Sequence, residues 1–79
     1  MTKRLKTRPY FAVEFDKEDD GRWIAEIPKL PGAMAYGLTK KEALQKVYAV
    51  ALRTLADSLE QGNTPPLITR FFDYGVARR

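Results

Sequence analysis

Carboxylates are the side chains here that could do chemistry, because the other common catalytic groups are missing. The 79 residues contain no histidine and no cysteine. That removes the common zinc ligands, the common general base and every thiol nucleophile. Ser58, the only serine, has no base to activate it. Four carboxylates come from elements that a fold could gather: Glu14, Asp16, Glu42 and Asp73. Converging within a few ångströms, such a set holds two divalent metals. Their placement argues against convergence. Glu14 and Asp16 share one face of an alternating stretch, whereas Glu42 opens a helix that must pack on the other face. Solvated strand and cap residues are expected, with no catalytic residue, no metal site and no cofactor. Glu18-Asp19-Asp20-Gly21 lacks the alternating ligands and distal glutamate of a calcium loop and reads as a turn. An anion at the helix start, near Lys40 and Lys41, is weighed against a plain cap with surface lysines, and the cap is preferred.

The elements that position these groups can be read in order. Tyr10–Asp16 alternates, with Phe11, Val13 and Phe15 on one face and Tyr10, Ala12, Glu14 and Asp16 on the other: a half-buried strand. Lys17–Gly21 is a charged turn. Arg22–Ile27 returns, with Trp23, Ala25 and Ile27 facing inward and Arg22, Ile24 and Glu26 outward. Pairing Val13 with Ala25 sets Phe15 opposite Trp23 and Phe11 opposite Ile27. Pro28 ends this strand because it has no amide for the ladder. In the run Pro28-Lys29-Leu30-Pro31-Gly32, Pro31 fixes φ for a turn and Gly32 supplies the positive φ that follows. Ala33–Tyr36 forms a short third strand ahead of Gly37.

Thr39 caps the next helix, and Glu42, followed by Ala43, reaches back to the Thr39 amide as a capping box. The helix is expected over Lys40–Gln61. Its apolar stripe is Leu44, Val47, Tyr48, Ala51, Leu52, Leu55 and Leu59, and Glu42/Lys46 and Arg53/Asp57 pair at i,i+4. Gly62 stops it, with Asn63 next and Pro65-Pro66 blocking continuation. Leu67–Asp73 is expected as a fourth, edge-joining strand.

An α+β fold follows: β-β-β-α-β, a mainly antiparallel sheet with one long helix on one face. Residues 9–74 form the single domain, with basic tails at 1–8 and 75–79. The expected core sets Phe11, Val13, Phe15, Trp23 and Ile27 against Leu44, Tyr48, Ala51, Leu55 and Leu59. One helix covers only one side of the sheet, so Tyr10, Ala12, Ile24 and Tyr36 on the other are expected to form an interface. A homodimer or higher homo-oligomer through that face, or through an edge at Leu67–Phe72, would offset the small core.

Charge is unevenly placed. Fourteen basic residues exceed ten acidic ones, for a net of +4, but four of them lie in the first eight positions and two at the last two. The stretch between holds eight basic against ten acidic residues, a net of −2. The body is mildly acidic, and the basic ends carry no element that reads a nucleic-acid sequence. No apolar run approaches a membrane span or a signal peptide, so a cytoplasmic protein is expected. One asparagine and two glutamines, with no cysteine or histidine, is a composition that heat selects.

Taken in order, these motifs resemble the HicB-like antitoxin family. Its pattern is an aromatic strand, an acidic turn with glycine, a strand ending in proline, P-x-L-P-G, G-x-T and E-A-L. The matching residues are Tyr10 to Phe15, Glu18 to Gly21, Trp23 to Pro28, Pro28 to Gly32, Gly37-Leu38-Thr39 and Glu42-Ala43-Leu44, over residues 9–62. Ala33 stands where many relatives carry cysteine. The resemblance implies a truncated ribonuclease-H-like fold and a non-catalytic antitoxin, or an antitoxin-derived binding module, that binds and masks a small HicA-type RNA-cleaving toxin. Relatives that repress their own operons append a DNA-binding segment, which is not expected within Leu67–Arg79. Two other functions stay open: a metal-dependent nuclease of ribonuclease-H-like type, or a small RNA-binding protein using its basic tails.

Overall fold

The structure, a computed structural model, describes residues 11–72 and Gly75. Three strands come first, β1 (Glu14–Lys17), β2 (Trp23–Glu26) and β3 (Met34–Gly37), followed by the helices α1 (Lys40–Glu60) and α2 (Pro66–Phe71). The strands form one antiparallel sheet in the order β1-β2-β3. The fold class is α+β, an open sheet with a long helix on one face.

Glycine sets both hairpin connections. At the first, Glu18 N–H donates to Arg22 O (2.7 Å) and Gly21 N–H to Glu18 O (2.9 Å), while Gly21 takes φ 93. A tight turn followed by a left-handed residue is a favoured three-residue hairpin loop, and here it is Asp19-Asp20-Gly21. It moves the pairing two residues from the expected register: Phe15 lies opposite Ala25 and Lys17 opposite Trp23. An even shift leaves every side chain on its expected face. The second connection is two turns in tandem, each with proline at its second position. Leu30 N–H donates to Ile27 O (2.9 Å) and Ala33 N–H to Leu30 O (3.0 Å), with Gly32 at φ 87 after Pro31. Ile27 N–H closes the loop on Ala33 O at 3.0 Å. The expected use of Pro31 and Gly32 is what the chain does. Strand β3 starts one residue later than expected, which brings Gly37 into it.

Helix α1 begins as its sequence demands. Thr39 is extended (φ −126, ψ 161), and its Oγ1 accepts from Glu42 N–H at 3.0 Å. The Glu42 carboxylate accepts the Leu38 amide at 2.7 Å, one residue beyond the expected Thr39 amide. At the other end Gly62 N–H donates to Leu59 O and Asn63 N–H to Ser58 O, both at 3.0 Å, with Gly62 at φ 93. That is a Schellman stop. Lys46 pairs with Glu42 at 3.1 Å. Arg53 and Asp57 do not come within ion-pair distance; basic before acidic is the weaker order along a helix.

The core differs from expectation in a consistent way. Among the described residues, Ala25, Ile27, Ala33, Ala35, Ala43, Val47, Ala51 and Leu55 are its buried hydrophobic members. Five of the eight are alanines, so α1 lies close on the sheet, over β2 and β3. Phe11, Val13, Phe15 and Trp23 are half-buried at the margin. Tyr48 is 47% exposed, Leu52 64% and Leu59 39%. The true inward line runs Ala43, Val47, Ala51, Leu55, each four apart, because the three-strand sheet is too narrow to cover the larger side chains beside it.

The expected fourth strand, Leu67–Asp73, is instead helix α2 through Phe71, with Phe72 extended after it, and Asp73 lies outside the described residues. Pro66 sits at its first position, where proline's fixed φ suits a helix. Ile68 N–H donates to Pro65 O (3.0 Å) and Thr69 Oγ1 to Pro66 O (2.9 Å). No residue of α2 is buried. The strand edge that was expected to pair with another chain does not exist there.

Candidate functional site

The face of the sheet turned away from α1 gathers side chains by simple alternation. Strand β1 contributes Glu14 and Asp16, β2 contributes Ile24 and Glu26, and β3 contributes Met34 and Tyr36. Register sets them in two cross-strand rows: Glu14–Glu26–Met34 and Asp16–Ile24–Tyr36. Glu14 thus lies directly opposite Glu26, an arrangement that disfavours the sheet through like-charge repulsion. Ile24 is half-buried, Tyr36 is 39% exposed, Met34 is 44% exposed, and Ala12 is exposed. Of the expected interface, Ala12, Ile24 and Tyr36 are described and exposed or half-buried, while Tyr10 lies outside the described residues. Glu26 and Met34 were not among the expected members. Glu26 was legible from its alternation with Ile24, and Met34 from its alternation with Tyr36.

One cation is fixed at the margin of this face. Arg22 Nε donates to Asp20 Oδ2 at 2.9 Å, and its guanidinium stands 4.5 Å from the centre of the Tyr36 ring. Asp20 also accepts from the Arg22 amide at 3.0 Å. That amide, followed by the guanidinium, holds the Asp20 carboxyl below its ordinary value. Arg22 is therefore tied down, and the carboxylates lie on the β1 side of the face.

The carboxylates that could have formed a metal cage are not brought together. Glu14 and Asp16 project from the outer face, while Glu42 sits at the start of α1 on the inner side. Glu42 is held below its ordinary value first by the Leu38 amide and then by Lys46. Among the described residues, no group of three acidic side chains could hold a metal ion. The start of α1 is also spoken for. Thr39 takes the Glu42 amide and Glu42 takes the Leu38 amide, and Lys40 Nζ stands over the Phe15 and Trp23 rings at 4.8 and 5.6 Å. Lys17 reaches Trp23 at 5.3 Å, so two ammonium groups stand near the indole. The remaining signature residues, Pro28, Leu30, Pro31, Gly32, Gly37 and Ala43, are structural. Leu30 packs on the core, and Ala43 is fully buried.

A second surface was not legible in the sequence. An open apolar groove of about 650 Å³ runs along the side of α1. Phe11, Val13, Ile27 and Leu55 form its floor. Tyr48, Leu52 and Leu59 make one wall, and the apolar side chains of α2 make the other. None of the described residues lining it is charged.

No helix among the described residues is long and apolar enough to cross a membrane. The chain is similar to the UPF0150 protein Ta0767 of Thermoplasma acidophilum, a thermophile, with 38% identity over 53 residues, 67% of this chain and 75% of that protein. No family model and no solved structure matches.

Proposed function

This chain belongs to the UPF0150 family, and from that premise and the outer sheet face we propose a non-catalytic binding module that masks a small, basic, HicA-type RNA-cleaving toxin. The family name states no activity, so the reading rests on the chain itself and on its likeness to HicB-like antitoxins. The observation that carries it is the outer face, where Glu14 and Asp16 of β1 and Glu26 of β2 border Ile24, Met34 and Tyr36 on one side. An apolar patch bordered by carboxylates along one side fits a partner that brings the opposite charge to that side. Glu14 and Glu26 repel each other in the free protein, and a bound lysine or arginine would relieve that repulsion. An RNA-binding toxin must be basic to hold its substrate, and masking it requires only a complementary surface.

The test is protection of RNA from a purified HicA-type toxin by this protein. Protection should weaken as salt rises, and the triple variant Glu14→Gln, Asp16→Asn, Glu26→Gln should lose it. Unchanged protection by that variant would overturn the assignment of the face. RNA cleavage by this protein alone with magnesium or manganese, abolished by Glu14→Ala, would replace the binding module with a nuclease.

A further inference from the structure

We propose that the apolar groove beside α1 is closed by a second copy of this chain, in a two-fold dimer whose protomers each press Phe71 and Phe72 into the other's groove. Five side chains on the groove are left substantially exposed: Tyr48 (47%), Leu52 (64%), Leu59 (39%), and Phe71 and Phe72 (both 65%). With roughly 150–250 Å² for a large aromatic side chain, and less for leucine, they leave on the order of 500 Å² of apolar surface open on one protomer. That is at the upper end of what a monomer ordinarily shows. Doubled across a two-fold axis it comes to about 1,000 Å², the size at which specific interfaces begin.

Chemistry selects a second copy over other occupants. The lining carries no charge, so it gives a basic toxin or an acidic peptide nothing to pair with. It differs in this from the carboxylate-bearing outer face. Helix α2 supplies the complementary part. None of its six residues is fully buried, and only Leu67 and Ile68 are half-buried; an isolated helix of that length is far below what water supports. Seated against a mate it would gain further cover, and the mate would gain the same. An isologous contact needs one patch that is both groove and ridge, and here the α1 wall and the two phenylalanines are those parts. This inference is independent of toxin masking, because the two surfaces lie on opposite sides of the sheet.

Sedimentation or light scattering of the full chain at tens of micromolar tests it. The protein should be a dimer. Leu52→Glu and Phe72→Glu change exposed side chains, so the helical circular dichroism should persist while self-association weakens about 30-fold or more. Ile24→Lys, on the outer face, should leave the dimer intact. A wild-type monomer at that concentration overturns the proposal. So does a dimer that survives both groove variants, or one that Ile24→Lys dissolves. An apolar fluorophore that binds the wild-type groove stoichiometrically without competing with dimerisation would also overturn it.

Discussion

Gly37 lies so close to Ala43 that a Cβ on the glycine would stand 2.5 Å from the Ala43 amide nitrogen. This contact joins the end of the sheet to the first turn of α1, and it explains two small residues six positions apart. Ala43 is fully buried there. Gly37 is required for approach, since its φ is not positive. Gly37→Ala should therefore destabilise the fold by about 1–3 kcal/mol in denaturant melts, because backbone cannot swing aside as a side-chain tip can. Gly32→Ala meets open space but must hold φ 87, so its cost of about 1–2 kcal/mol is purely conformational. If Gly37→Ala proves as stable as wild type, α1 does not sit at this distance.

The inward line of α1 makes a second prediction. Leu55 is 6% exposed and Leu38 is 76% exposed. Leu55→Ala should cost about 2–5 kcal/mol and Leu38→Ala less than about 0.5 kcal/mol. Equal costs from equilibrium unfolding would show that the helix is turned differently on its sheet.

Those two tests separate what the sequence made legible from what it did not. Pro31-Gly32, the Thr39 cap and Gly62 each carry a local geometric demand and are where they were expected, while Glu42 closes on the Leu38 amide in place of that of Thr39. Alternation gave the correct faces for Glu14, Asp16, Ile24 and Glu26, and so most of the outer site. The hairpin register escaped because a two-residue slip preserves every face; only the φ of Gly21 decides it. The stripe containing Tyr48, Leu52 and Leu59 is apolar at helical spacing, but spacing does not say how wide the sheet beneath will be. Leu67–Phe72 is a short apolar run in which helix and strand periods cannot be told apart. The groove was invisible for the same reason, since one of its walls is α2.

Acid should loosen two local structures. Folding holds Glu42 and Asp20 below their ordinary values through amides and cations that favour the charged forms. Their contribution is present at neutral pH and fades as pH falls below about 4, through the lowered folded-state values. Melting temperature should drop across that window, and Glu42→Gln should flatten part of the drop. A Glu42→Gln profile identical to wild type would mean that the cap does not titrate with the fold.

The outer face predicts opposed effects of one substitution. Glu14 faces Glu26 across the ladder, and like charges so placed oppose pairing, whereas opposite charges support it. Glu14→Lys should thus stabilise the free protein by about 0.2–1 kcal/mol. The same change places a cation among the carboxylates of the surface proposed to receive a basic partner, and there it should weaken binding. Stability measured by chemical denaturation and toxin protection measured on RNA should move in opposite directions. A gain in both would mean that the carboxylates are not held on this face for a partner. A loss in both would mean that Glu14 and Glu26 interact through a bridging group, and that their repulsion is not what the substitution removes.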